Sequence, residues 1–302
     1  MQQPRSLQAP AAGRYAFAAV VAGNVFLAAG PWMVRAADVG PVAAGFWRLA
    51  LAVPFLALLA FWQSRGRGAP SWPLVALIAL AGLFFALDLA AWHEGIVRTK
   101  LANATLFGNM SSFIFALYGF IVARSLPRPA QGAALLIAAI GAALLMGSSY
   151  ELSPTHFAGD LLALLAAFFY ALYLIVVDRA RRTMAPMPVL AIATAAGAMP
   201  ILALALVMGE QVMPTDWTPV LLLALGSQVI GQGLVVYAVG HLSPVVVGIG
   251  LLTQPVAAAL IGWMVYDETF SAADAAGAVL IAASLILIRL PARLASNRDA
   301  AH

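Results

Sequence analysis

One carboxylate stands alone in an apolar stretch. It is Asp88, in FFALDLAAWHEG, with Trp92 one turn later on the same helical face. An acid at that depth is a functional hypothesis by default: it pairs with a substrate ammonium group or cycles a proton. The alternative is a structural salt bridge to Arg35, Arg48 or Arg98. In LANATLFGNMSS (101–112), Thr105, Asn109 and Ser112 fall at i, i+4 and i+7 and form one polar stripe. Such a stripe serves either as glue between helices or as a lining for a solute, and the paired donor and acceptor of Asn109 suit the zwitterionic end of an amino acid. In GSQVIGQGLVVYAVG (226–240), Gln228 and Gln232 share a face, and glycines at 226, 231 and 233 loosen the helix and allow close backbone approach. Gln254-Pro255 adds a third amide beside a carbonyl that proline leaves unpaired. FFYALY (168–173) supplies Phe169, Tyr170 and Tyr173, either as core or as a flat wall for a planar substrate. With Asn24, near the Pro31-Trp32 pair, the candidate substrate-binding residues are Asn24, Asp88, Trp92, Asn109, Ser112, Tyr170, Tyr173, Gln228, Gln232 and Gln254.

The elements that must hold these groups follow from composition. Of 302 residues, 63% are hydrophobic and 9% charged, and the mean hydropathy is +0.95. A water-soluble domain cannot cover that much apolar surface, so the chain is an integral membrane protein. Apolar runs long enough to cross the hydrocarbon core fall near 15–36, 42–62, 72–93, 101–123, 130–147, 159–177, 187–208, 217–239, 244–266 and 272–289. Runs such as ALLIAAIGAALLM show no two-residue alternation, which favours helices over a transmembrane barrel. The expected fold is therefore all-α and polytopic, with ten transmembrane helices. Ten spans and their short loops use almost the whole chain and leave no room for a nucleotide-binding or soluble catalytic module. The first span resembles a signal peptide but ends in no A-x-A site and reads as retained.

The basic residues lie in loops, so the net charge of +4 reports topology rather than nucleic-acid binding. With the N-terminus in the cytoplasm, Arg5, Arg14, Arg65, Arg67, Arg124, Arg128, Arg179, Arg181, Arg182, Arg289, Arg293 and Arg298 are all internal, and Asp38, Glu94, Glu151, Asp160, Glu210, Asp216, Asp267, Glu268 and Asp274 are external. Both termini are then inside. Cysteine is absent, which removes disulfides and thiolate chemistry. His93-Glu94 never reaches the second histidine of a zinc-protease helix, no G-x-S-x-G elbow occurs, and histidines 93, 156, 241 and 302 read as lying at span ends or in loops. No convergent acid, base and nucleophile is visible, so the chain is not expected to be an enzyme, and neither cofactor nor metal is implied. No ring of charge or repeated carbonyl filter argues for a channel.

An internal repeat organises the spans. At an offset of 143 residues, 101–127 lies over 244–270, pairing Gly119 with Gly262, Ala104 with Val247 and Ala116 with Ala259. The first copy ends in Arg124-Ser125-Leu126-Pro127-Arg128 and the second in Tyr266-Asp267-Glu268. Equivalent loops of opposite charge, separated by an odd number of helices, predict two inverted five-helix repeats.

The chain resembles the drug/metabolite transporter superfamily in its ten-helix form with two EamA-type repeats. Gly23-Asn24, the Pro41…Phe46-Trp47-Arg48 start of span 2, the Thr99-to-Pro127 unit and the Leu242-to-Phe270 unit with Gln254-Pro255 carry the resemblance. Departures are Ser111-Ser112 where the first repeat often has Ser-Pro, and Gln254 where the second often has Glu. FFYALY is similar to the sixth span of bacterial aromatic amino-acid exporters of the YddG type. The resemblance implies an exporter of small metabolites working by alternating access around a central cavity, with amino acids, aromatic or bulky apolar, as the leading substrate and a multidrug or organic-cation exporter as the alternative. It implies a multi-pass protein of a bacterial-type inner membrane, arranged as an N-terminal tail (1–14), a first repeat (15–147), an external linker (148–158), a second repeat (159–290) and a C-terminal tail (291–302). Its partners would be a small-molecule solute and the lipid bilayer, with no nucleic acid, and nothing in the sequence sets the oligomeric state.

Overall fold

The computed structural model describes residues 10–99, 101–147, 154, 156–266 and 271–289. The tail 291–302, most of the N-terminal tail and most of the linker expected at 148–158 lie outside these residues, as do the side chain of Asn103 and the surroundings of Gly262. Every element among the described residues is helical. In the first half these are α1 (Pro10–Ala28), α2 (Gly30–Ala36), α3 (Pro41–Ser64), α4 (Trp72–Arg98), α5 (Leu101–Gly108), α6 (Met110–Ala123) and α7 (Pro129–Gly147). In the second they are α8 (Phe157–Ala180), α9 (Pro186–Val207), α10 (Thr218–Leu222), a π-helical stretch Leu223–Gln232, α11 (Gly233–Val239), α12 (Pro244–Leu251), α13 (Thr253–Tyr266) and α14 (Ala272–Arg289). Proline opens many of them: α2, α3, α4, α9, α10 and α12 each carry it in the first two positions. There its missing N–H costs nothing and its fixed φ is already helical.

Among the described residues, eight helical stretches are long and apolar enough to cross a membrane: Tyr15–Ala36, Pro41–Ser64, Trp72–Arg98, Ala104–Ala123, Phe157–Ala180, Pro186–Val207, Thr218–Val239 and Pro244–Ile261. The two further expected spans appear as shorter apolar helices, Pro129–Leu144 and Ala272–Ile288. These two lie in α7 and α14, which pack on each other.

Several spans are interrupted. The fourth breaks at Asn109 into α5 and α6, and its counterpart breaks at Leu252 into α12 and α13, both leaving pieces of 8 and 14 residues. The two breaks are 143 residues apart, the offset of the sequence repeat. Pro255 accounts for the second break, because it has no N–H to give the carbonyl of Leu251. At the first break no proline is present, and side chains do the work instead: Asn109 Nδ2 donates to the Thr105 carbonyl at 2.7 Å and Ser111 Oγ to the Gly108 carbonyl at 2.9 Å.

The packing is unchanged when the halves are exchanged. Second helix packs on second (α3 on α9), fourth on fourth (α6 on α12) and fifth on fifth (α7 on α14). The third of the first half packs on the first of the second (α4 on α8), and the reciprocal pair is α1 with the π-helical stretch and α11. At that second contact the backbones nearly touch: a Cβ on Gly23 would lie 2.8 Å from the Gly231 carbonyl oxygen. At one membrane surface, the segment 209–217 is bonded to the start of α3. Glu210 accepts the backbone N–H groups of Val42 and Ala43 at 3.2 and 2.7 Å, Trp47 Nε1 donates to the Val212 carbonyl at 2.6 Å, and Asp38 accepts from the Thr215 and Asp216 backbones. A carboxylate on a helix N-terminus is favoured by the positive end of the helix dipole.

Candidate functional site

A cavity of about 80 Å³ lies between the two halves. Since a water molecule needs roughly 10–15 Å³ of such space, it holds several waters or one small polar group. Its wall is built from Gly30 and Pro31 of α2, Arg48 of α3, Asp88, Trp92 and His93 of α4, the α5–α6 break with Asn109 and Ser112, Tyr170 of α8, Gln232 of the π-helical stretch, and Gln254 at the start of α13. Both interrupted spans therefore meet here, and the first turns of α6 and α13 face the same space.

Seven of the residues singled out in the sequence line this cavity: Asp88, Trp92, Asn109, Ser112, Tyr170, Gln232 and Gln254. The Ser112 hydroxyl is buried there without a hydrogen-bond partner, a group available to a solute. The Tyr170 hydroxyl and the Gln232 amide lie 3.4 Å apart. Trp92 lies against the break itself, for a methyl on Gly108 would collide with its six-membered ring. Aromatic rings continue from the wall into the core, where Phe85 stacks on Tyr173 at 4.7 Å and Tyr170 on Tyr173 at 5.8 Å.

The other three lie behind the lining. Asn24 Nδ2 donates to the Gly250 carbonyl and to Thr253 Oγ1, both at 2.8 Å, and so holds the α12–α13 break together. Tyr173 is fully buried behind Phe85 and Tyr170. Gln228 accepts from Arg48 Nε at 3.1 Å and donates to Thr194 Oγ1 at 3.0 Å. Gln228 is thus an anchor for a buried arginine. Its shared face with Gln232 is parcelled out by the π-helical winding, which sends one amide to Arg48 and the other to Tyr170.

Two titratable lining residues were not among the candidates read from the sequence. Arg48, considered there as a salt-bridge partner for Asp88, is one; it presents its charge to the cavity and lies over the Phe85 ring at 5.5 Å. His93, read as a span-end histidine, is buried inside α4, with Nδ1 2.8 Å from the Pro41 carbonyl and the ring at the cavity wall. A carbonyl only accepts, so Nδ1 carries the proton of that bond. Spacing does not announce it, since a residue five after Asp88 lies off that face of an α-helix, and its nearness to the span end pointed elsewhere. Of the ion pairs considered for Asp88, none forms among the described residues: Arg98 pairs with Glu94, and Arg35 Nη2 donates to the Ile96 carbonyl at 2.6 Å.

Outside the spans, the hydroxyl and backbone N–H of Thr215 hold the Asp38 carboxyl below its ordinary value of 3.8. Arg181, at the end of α8, donates through Nε to the Val236 carbonyl at 3.1 Å, and burial lowers its guanidinium to about 10.

The EamA-like transporter family matches residues 14–147 and again 157–290. The chain belongs to the EamA-like transporter family. Its members carry small molecules across membranes, and this EamA protein is a multi-pass membrane protein with one EamA unit in each half. A protein of Archaeoglobus fulgidus described as an uncharacterized transporter is 29% identical over 141 residues, a match spanning 45% of this chain and 47% of that protein's length. A solved crystal structure superposes with a TM-score of 0.77 over 95% of this chain and 99% of its own, at 19% identity, and shares the fold.

Proposed function

We propose that this EamA protein is a secondary transporter that exports amino acids, aromatic or bulky and apolar, by alternating access around the cavity. The observation that carries the reading is the pairing of opposite charges that are not bonded to each other: Arg48 and Asp88 face one space, each held by a different helix. A zwitterion answers both, with its carboxylate toward Arg48 and the first turns of α6 and α13, and its ammonium toward Asp88 and the acceptors beside it. Trp92, Tyr170 and Phe85 offer the flat apolar surface that an aromatic side chain needs. The similarity of FFYALY to aromatic amino-acid exporters supports the same choice. A cavity of this size takes the charged end of such a solute, so the side chain is admitted as the halves move. An organic-cation exporter is the second reading, favoured by Asp88 with the aromatic wall; Arg48 in the same space opposes it by like-charge repulsion.

Two inverted five-helix halves are part of the proposal. The matched breaks at Asn109 and Leu252, the exchange-symmetric packing and the loop charges of opposite sign support it. So do the basic loops that assign both termini to the cytoplasmic side of a bacterial-type inner membrane. Purified protein in liposomes tests the substrate. Counterflow of labelled phenylalanine or tryptophan is expected, competed by other bulky amino acids; competition by lipophilic cations alone would replace the amino-acid reading with the second. Asp88→Asn is expected to abolish the pH dependence of transport, and unchanged transport with an unchanged pH profile would remove Asp88 from coupling.

A further inference from the structure

A second recess, of about 670 Å³, opens at the ends of the spans, away from the central cavity. It is lined by Gln63 in the last turn of α3 and Arg67 beyond it, Arg181 and Thr183 between α8 and α9, and Tyr237 of α11 with His241 just after it. No carboxylate lines it among the described residues. Two of its polar groups, Gln63 and Arg181, are oriented as donors by bonds on their far sides. The Gln63 Oε1 accepts the Met187 backbone N–H at 3.0 Å, so its NH₂ is the end left for a ligand. The His241 Nδ1–H donates to the Tyr237 carbonyl at 2.7 Å, so in the neutral ring Nε2 is left as an acceptor, suited to the P–OH of a hydrogen phosphate. Arg181 is pinned by the Val236 and Met184 carbonyls, so its cation is fixed in place, and no carboxylate bonds to it among the described residues. It stays cationic at neutral pH, since burial lowers it only to about 10. The Arg67 side chain is exposed and makes no described contact.

One fixed cation, one free cation and an amide donor, with no acid among the described lining residues, at the depth where spans end, fit an anion that lies at the membrane surface. We propose that this recess is a binding site for a phosphate-bearing anion. A phospholipid headgroup reaches it without leaving the bilayer, and a soluble phosphate reaches it from the water; both offer the oxygens that an arginine fork takes in pairs.

Full-length protein in neutral detergent tests this by native mass spectrometry and thermal unfolding. The first arm adds phosphatidylglycerol or phosphatidylcholine, and the second adds inorganic phosphate against chloride at matched ionic strength. If lipid is the ligand, phosphatidylglycerol is retained in preference to phosphatidylcholine and phosphate has no effect. If the ligand is soluble, phosphate raises the melting temperature above chloride and the two lipids are held alike. In either case Arg67→Gln weakens the responding arm about fivefold, the effect of one surface cation, and Arg67→Lys restores it. Neither variant is expected to alter the melting temperature without ligand, because Arg67 supports no described contact. The site is refuted if neither arm responds in the wild type, or if the responding arm is unchanged both in Arg67→Gln and in the Arg67→Gln/Arg181→Lys double variant.

Discussion

Replacing Gln228 by alanine separates a scaffold role from a role in touching the solute. Gln228 is fully buried and links the Arg48 guanidinium to Thr194, so its amide spans α3, the π-helical stretch and α9. Truncation strips Arg48 Nε of its acceptor, and a hydrogen bond to a charged group contributes about 1.5–3 kcal/mol; the neutral bond to Thr194 adds about 1 kcal/mol. The total is about 3 kcal/mol. With an unfolding entropy of about 2.1 cal/mol/K per residue over 302 residues, that corresponds to a fall of about 5 °C in melting temperature. Gln228→Glu keeps an acceptor for the guanidinium and is expected to recover most of the loss. The assay is thermal unfolding in detergent beside transport in liposomes. An unchanged melting temperature in Gln228→Ala, with a selective rise in KM, would refute the reasoning and put this amide on the substrate.

Gly108→Ala drives a methyl into the Trp92 ring and is expected to cost about 1–3 kcal/mol by overpacking and to impair transport, with Trp92→Leu in the same chain restoring stability; melting curves of the single and double variants decide it. Asn24→Ala removes two hydrogen bonds from the α12–α13 break, about 1 kcal/mol each, and hydrogen exchange at Gly250–Thr253 is expected to quicken while that of the α5–α6 break is unchanged. The Asp38 carboxyl is lowered by its bonds from Thr215, so it supports the attachment of 209–217 above its ordinary value and loses that support as pH falls through the lowered one. Protease sensitivity of that loop is expected to rise in acid, and Asp38→Asn to show the raised sensitivity already at neutral pH.

The all-helical, membrane-spanning character and the twofold repeat were legible because they depend on properties summed over many residues: hydropathy, loop charge and a constant offset of 143. The same offset places both helix breaks, though only the second has a proline to announce it. The first depends on where the Asn109 amide turns, back onto the Thr105 carbonyl, which spacing alone does not tell. For the site, the types of residue were readable but their direction was not. Gln228 and Gln232 read alike in sequence, and the π-helical winding sends them to different partners. Asn24 reads as a lining residue until its bonds to Gly250 and Thr253 are seen. Arg48 was considered only as a partner for Asp88 and His93 only as a span-end histidine, while the packing of α3 and α4 turns both toward the cavity.

Trp92 has a further use. The chain holds 7 tryptophans. Those at 32, 62, 72, 217 and 263 are exposed on the outer surface, and Trp47 is tied to the Val212 carbonyl. Only Trp92 borders the central cavity among them. Its indole is therefore an intrinsic optical probe: emission that shifts when a solute enters originates at this ring, so occupancy can be titrated on the unlabelled protein and assigned by comparing wild type with Trp92→Phe.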